Sequence, residues 1–424
     1  MTRIGENEES QIVPKISGDN DLVSMGRYEA EETESHMSIL RYSAQRRRAT
    51  TKRLDRAIGK RYLARADIAV FFPSVYTHAI PWAIHTKEIA KRRRRDKCLY
   101  GNVLDERSRN MQRGETLGIP IGPATSYILS ELLLNPVDAA LRDEYTFMRF
   151  IDDYSCYCGS RKEADAFIGA LEDQLAEYGL QLNASKTNIT RLPATTADPW
   201  IIQLRTLLDG FNLSQSSTLG TLFDLAINLQ AKWPKGNVVK YAARALARHS
   251  TTDDLRHRCA RHILEIAFHY PSVMPILARL VQDDSSVVRA DELERLLEKQ
   301  SEQRAPTDAM CWTLFAWRKQ TSGTATLPSD LVNAVIGTDD CMAIASLWAI
   351  DQGEVDVIDF VRTKLAGSTD EKYDRFWLLV HEVGDKAPET KSYRERTGLQ
   401  LLADIGVSFI DRAAFTGKDD DEPI

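Results

Sequence analysis

The chain has no run of about eighteen apolar residues, so no segment of it is expected to cross a membrane as a helix. Its first residues, MTRIGENEES, lack the apolar stretch of a secretory signal. Basic charge is not in excess. Against 61 Asp and Glu there are 55 Lys and Arg, a formal net charge of −6. That excludes a protein that coats nucleic acid along its whole length, and confines any polyanion site to a local basic patch. Cysteine is sparse: six residues (98, 156, 158, 259, 311, 341) are scattered over 424, and they read as reduced thiols of a cytoplasmic protein. His249, His257, Cys259, His262 and His269 match no tight ligand spacing, and no zinc is expected.

What the chain does contain is a change of character along its length, and 424 residues suit two or three domains. Residues 1–38 are polar and acidic and are expected to be partly disordered. Residues 39–198 open with the cations Arg46, Arg47, Arg48, Lys52, Arg53, Lys60, Arg61 and Arg65, and a second run, Lys91, Arg92 and Arg93, follows. Between the two runs, 66–76 reads as a strand ending at Pro73. The stretch 118–123, Gly-Ile-Pro-Ile-Gly-Pro, reads as an extended loop before a helix over 126–134. Residues 145–158 look like two short strands joined at Asp152 and Asp153, and 162–178 has the spacing of an amphipathic helix. From 199 to 417 the pattern is short helices with polar connections, which suggests stacked hairpins of HEAT type without a clean repeat unit. Residues 418–424 form an acidic tail.

Three aspartates stand where charge is expensive. Asp67 lies within Ala-Asp-Ile-Ala-Val-Phe-Phe, and Asp152-Asp153 follows Phe-Met-Arg-Phe-Ile. A carboxylate on a buried strand must be paired or must bind a cation. Two or three aspartates with retained waters and nucleotide phosphates suit Mg2+ or Mn2+, and two such ions can stabilise both oxygens of an in-line phosphoryl displacement. Taken singly, an Asp in a strand or an Asp pair at a hairpin is more often a turn former or a solvated edge.

The ordered set changes that balance. Ala-Asp-Ile-Ala-Val-Phe-Phe-Pro-Ser-Val (66–75), Gly-Ile-Pro-Ile-Gly-Pro-Ala-Thr-Ser (118–126), Phe-Ile-Asp-Asp (150–153) and Gly-Leu-Gln-Leu-Asn-Ala-Ser-Lys-Thr (179–187) resemble, in order and spacing, four palm motifs of reverse transcriptases. The isoleucine in the second motif and the helical C-terminal half are most similar to bacterial defence-associated, or abortive-infection, reverse transcriptases, some of which carry HEAT-like repeats. The resemblance implies an α+β polymerase palm with reduced fingers, followed by an all-α helical-repeat domain. It makes Asp67, Asp152 and Asp153 catalytic metal ligands for two Mg2+ (or Mn2+) ions, with the Ile68 carbonyl completing the shell. Phe72 matches the ring that clashes with a ribose 2′-hydroxyl. Gly122 would let the backbone approach the incoming base pair, and Lys186 would neutralise or protonate departing pyrophosphate. Arg65 and Ile121 would flank the nucleotide, and Arg46–Arg48, Lys52, Arg53 and Lys91–Arg93 would track phosphates.

Two positions depart from the pattern: Phe150 stands where Tyr is usual, and Ile121 where many retroviral-type enzymes have Gln. Only 66 residues precede Asp67, which is short for full fingers. The expected reaction is attack of a 3′-hydroxyl, or of a protein hydroxyl, on a dNTP, templated or not, in anti-phage defence. Partners would be dNTPs, DNA or RNA, further copies of the chain (a trimer or hexamer) and a phage or host trigger protein. Rival readings are a retron- or intron-type enzyme copying a dedicated RNA, and a catalytically silent helical scaffold.

Overall fold

The computed structural model describes residues 29–31, 39–41, 53–195, 198–210, 216–250, 252–303, 305–365 and 369–412. The expected disorder of residues 1–38 falls mostly outside these, as do Arg46, Arg47, Arg48, Lys52 and the acidic tail. The chain divides into two compact units, Met1–Thr196 and Ala197–Ile424.

In the first unit, β1 (Glu29–Glu31) and β2 (Ile39–Arg41) form an antiparallel pair. The main sheet has four strands: β3 (Tyr62–Asp67), β4 (Phe147–Phe150), β5 (Asp153–Cys158) and β6 (Asn188–Arg191). Their order is β4-β5-β3-β6, with every pairing antiparallel. Side chains alternate across a strand, and that alternation sets the layers. Ala64, Ala66 and Ile68 are buried with Phe147, Tyr154, Cys156 and Cys158 under the helices Ala124–Leu141 and Arg161–Ala176. Leu63, Arg65 and Asp67 take the opposite face of β3, where Leu63, Met148 and Tyr157 make a small separate cluster.

Helix Arg161–Ala176 shows why this sequence is helical. Ser160 caps it by accepting from the Glu163 N–H at 3.1 Å, while Glu163 reaches back to the Gly159 N–H at 2.8 Å, a reciprocal capping box. Ala164, Phe167, Leu171 and Leu175, spaced by three or four, form its buried stripe.

Three local expectations are corrected. The strand expected over 66–76 begins at Tyr62 and ends at Asp67, and Phe71–Ser74 is a helical turn. Val70, at φ 46°, turns the chain out of its extended path, and an apolar run alone does not distinguish strand from helix. The hairpin turns at Ile151 and Asp152, with Asp153 already the first residue of β5, because Phe150 pairs with Asp153. The helix expected over 126–134 runs Ala124–Leu141, continuing through Pro136 because Leu132, Leu133, Val137 and Leu141 are all buried. Burial outweighs a proline penalty of about 3 kcal/mol.

The second unit is all helical among the described residues. Helices two apart in sequence pack together: Met274–Asp283 on Thr307–Gln320, that on Cys341–Ala349, and that on Trp377–Val383. One hydrophobic core runs through the unit from Leu208 to Leu399. Among the described residues no helix is long and apolar enough to cross a membrane.

Candidate active site

Asp67 ends β3 and sits directly opposite Asp153, the first residue of β5. Residues so paired have Cβ atoms roughly 4.5–5.5 Å apart. Asp152 occupies the adjoining hairpin turn, and its carbonyl accepts from the Ile68 N–H at 3.3 Å, which ties the turn to the end of β3. Ile68 bridges to Leu182 through the Asp67 carbonyl and the Ala69 N–H, so this bridge does not use its own carbonyl.

The Asp67 side chain is 7% exposed and is held at both oxygens. Lys186 Nζ donates to Oδ1 at 2.9 Å, and Asn183 Nδ2 donates to Oδ2 at 3.2 Å. Asn183 also organises the turn that delivers Lys186. Its carbonyl accepts from the N–H groups of Lys186 and Thr187, its Oδ1 accepts from the Ser185 N–H, and its own N–H donates to the Asp67 carbonyl at 2.7 Å. The motif containing Asn183 was visible in the sequence, but its contact with Asp67 was not, because a short polar side chain after a turn carries no distinguishing signal.

Crowding shows in the proton affinities. Loss of hydration, then the charges of Asp152 and Asp67, push the Asp153 carboxyl up to about 6. Asp152 is raised too, by loss of hydration first and by Asp67 in addition, with Lys186 and Arg149 opposing. Lys186 is raised by its bond to Asp67. Three carboxylates against one ammonium leave two formal negative charges, which a divalent cation would offset. Among the described residues no group of three His, Cys, Asp or Glu is already set as a closed cage. The donor chemistry still fits Mg2+, which takes few protein carboxylates and keeps waters and phosphates as its other ligands.

Behind the turn lies a network that the sequence did not single out. Arg149 is fully buried on β4, with bidentate bonds to Glu131 (2.9 and 2.8 Å) and to Asp138 (3.1 and 2.8 Å). A fifth bond runs from Nη1 to the Ile151 carbonyl at 2.9 Å, and the Tyr154 hydroxyl donates to Asp138 at 3.0 Å. Burial opposes the guanidinium charge, but Asp138 and Glu131 outweigh it and hold Arg149 well above its usual range. Asp138 is raised, by burial first and by Glu131 as well. Ile151 stands at φ 57°, a left-handed conformation that costs a β-branched residue about 1–2 kcal/mol. The Arg149 clamp holds that strained turn against helix Ala124–Leu141.

Phe72 is half-buried and meets Tyr127 edge-on at 5.4 Å, whereas Phe71 is core. The loop 118–123 is anchored beside them, with the Gly118 N–H donating to the Val75 carbonyl at 2.7 Å and the Ile119 N–H to the Phe72 carbonyl at 2.9 Å. Gly118, at φ 91°, would place a Cβ 3.2 Å from the Pro73 carbonyl. Gly122 has open space around it but stands at φ 112°, so backbone conformation is what calls for glycine there. Ile121 is 70% exposed.

The cations fall into two groups. Arg65 shares the Asp67 face of β3, and it lines a cavity together with Arg53. Lys91 stacks on Trp82 at 5.4 Å, Arg92 pairs with Glu88, and Arg93 pairs with Asp96. None of these three contacts the carboxylate cluster.

Residues 24–222 match the family described as reverse transcriptase (RNA-dependent DNA polymerase). No curated protein matches the chain. The chain thus carries a reverse transcriptase domain and is an RNA-directed DNA polymerase, a nucleotidyltransferase whose substrates are dNTPs and nucleic acid.

Proposed function

We propose that the chain is a divalent-metal-dependent polymerase of anti-phage defence that adds dNTPs to a 3′-hydroxyl or to a protein hydroxyl. The observation that carries the catalytic part is the Asp67–Asp153 pairing with Asp152 on the adjoining turn. Asp67, Asp152 and Asp153, with the Ile68 carbonyl, would hold two Mg2+ or Mn2+ ions. Bound there, the ions would lower the pKa of the attacking hydroxyl and offset charge on the departing pyrophosphate. Lys186 lies against Asp67 and is positioned to give a proton to that leaving group once ions displace it. Phe72, backed by Tyr127, would exclude a ribose 2′-hydroxyl. Gly122 and Ile121 would meet the base pair.

The defence role rests on the motif resemblance together with the helical second unit. The packing of helices two apart supports stacked hairpins of HEAT type. Such a unit would present a surface for further copies of the chain and for a trigger protein.

Purified protein supplied with labelled dNTPs and Mg2+ or Mn2+, without added template, is expected to extend an endogenous primer. Asp67→Ala should incorporate at least a thousandfold less. Equal incorporation by that variant would refute the assignment.

A further inference from the structure

A cavity of about 880 Å3 lies on the Asp67 side of the sheet, within the first unit. Six cations line it, Arg53, Lys60, Arg61, Arg65, Arg161 and Arg191, and no carboxylate does. Two of them are partly neutralised: Lys60 lies 3.8 Å from Glu163, and Arg161 pairs with Asp165 at 3.2 Å. The other four form no ion pair among the described residues. A protein with net negative charge that gathers four uncompensated arginines in one concavity has built an anion site.

A second observation points the same way. Tyr157 is 2% exposed and lines this cavity, yet its hydroxyl has no hydrogen-bond partner. Buried hydroxyls are nearly always paired, so an orphan facing a cavity marks a missing ligand atom. The charges of Arg53, Arg65 and Arg56 all act on that hydroxyl. Arg56 is otherwise engaged, donating to the Phe147 carbonyl at 2.5 Å.

Placement identifies the anion. The cavity follows β3 from Leu63 to Arg65, and Arg65 lies two residues, roughly 7 Å, before Asp67 on the same face. Phe72 and the 118–123 loop come after Asp67, beyond the end of the strand. The carboxylates thus stand between the residues that would handle the nucleotide and the basic cavity.

We infer that this cavity holds a single nucleic-acid strand by its phosphates, without regard to base, and leads it along β3 to the carboxylates. This rests on the polymerase reading for its purpose, though not for its detection. Arg61 and Arg191, both exposed, supply charge at the rim, and the Tyr157 hydroxyl donates to a phosphate oxygen at the floor.

The test is fluorescence anisotropy of a labelled oligothymidylate of about a dozen nucleotides with the full chain, in EDTA and without dNTPs. Each lost phosphate contact on a single strand makes the slope of log K against log salt shallower by about 0.7, so Arg61→Ala/Arg191→Ala should lose about 1.4 of slope and roughly 25-fold in affinity at 0.1 M salt. Oligocytidylate should behave alike. Tyr157→Phe should weaken binding several-fold while leaving the melting temperature of the free protein unchanged or higher, since it deletes an orphan hydroxyl. Asp152→Ala should bind as wild type, so a failed polymerase assay and a failed strand site give different results. Wild-type affinity and slope in the double variant would overturn the inference. So would an unchanged oligonucleotide affinity with a raised KM for dNTP, which would assign the cavity to free nucleotide.

Discussion

Arg149→Met would leave Glu131 and Asp138 facing one another, with exposures of 5% and 0%, and with no cation between them. Removing one partner of a buried ion pair typically destabilises by about 3–5 kcal/mol, because the orphaned charge keeps its desolvation penalty. For a unit of this size each kcal/mol moves the melting temperature by about 2–4 °C, so scanning calorimetry of the full chain should show a drop of roughly 6–20 °C near neutral pH. The sign with pH follows from linkage. Asp138 already has a raised proton affinity, and loss of the guanidinium raises it further. A carboxyl whose folded pKa is raised contributes stability at low pH that is lost as pH rises through that pKa. The deficit of Arg149→Met should therefore shrink as pH falls toward 5. Replacing the whole network by apolar residues (Arg149→Met with Glu131→Leu, Asp138→Leu and Tyr154→Phe) should recover stability to within about 2 kcal/mol. The Ile151 carbonyl would still lack its donor, so kcat should stay low in a well-folded protein. A single variant melting within about 2 °C of wild type would refute the buried-charge reasoning. Wild-type kcat in the apolar variant would refute the clamp.

Asp153→Asn removes like-charge repulsion, so without metal it should melt higher than wild type at pH 7.5 and be inactive. Because the Asp153 carboxyl is raised to about 6, wild type regains that stability as pH falls through 6, and the gap should close by about pH 4, near the ordinary carboxylate range. Incorporation should fall as pH drops through about 6, and higher Mg2+ should move the fall to lower pH; a midpoint independent of Mg2+ would exclude Asp153 as a ligand. Phe72→Ala should raise the ratio of rNTP to dNTP incorporation by tenfold or more, read from single-nucleotide extension, and an unchanged ratio would remove Phe72 as the gate. Val70→Gly relieves an exposed residue at φ 46° and should raise the melting temperature by a few degrees.

The sequence marked Asp67 and the 152–153 pair because carboxylates beside apolar strands contradict their surroundings, and the register of β3 with β5 sets Asp67 beside Asp153. It located the strands around 145–158 and the helical second half for a related reason: periodicity reports which face is buried. The start of β3 stayed hidden because Tyr62 and Arg65 sit among cations, and the strand covers only one of its faces with helices. Arg149, Glu131 and Asp138 were missed because ion pairing depends on side chains far apart in sequence meeting in space, which no local spacing encodes. The cavity lined by Arg61 and Arg191 was half visible. Its arginines were read as a basic run, while Arg191 came from a strand more than a hundred residues later.

Everything proposed for catalysis depends on Asp67 and Asp152 binding the same ions. Mn2+ titration followed by electron paramagnetic resonance, with a non-hydrolysable dNTP analogue present, counts those ions directly. Two bound Mn2+ per wild-type chain, falling to one or none in both Asp67→Asn and Asp152→Asn, is the expected result. Undiminished Mn2+ binding in either variant would contradict it.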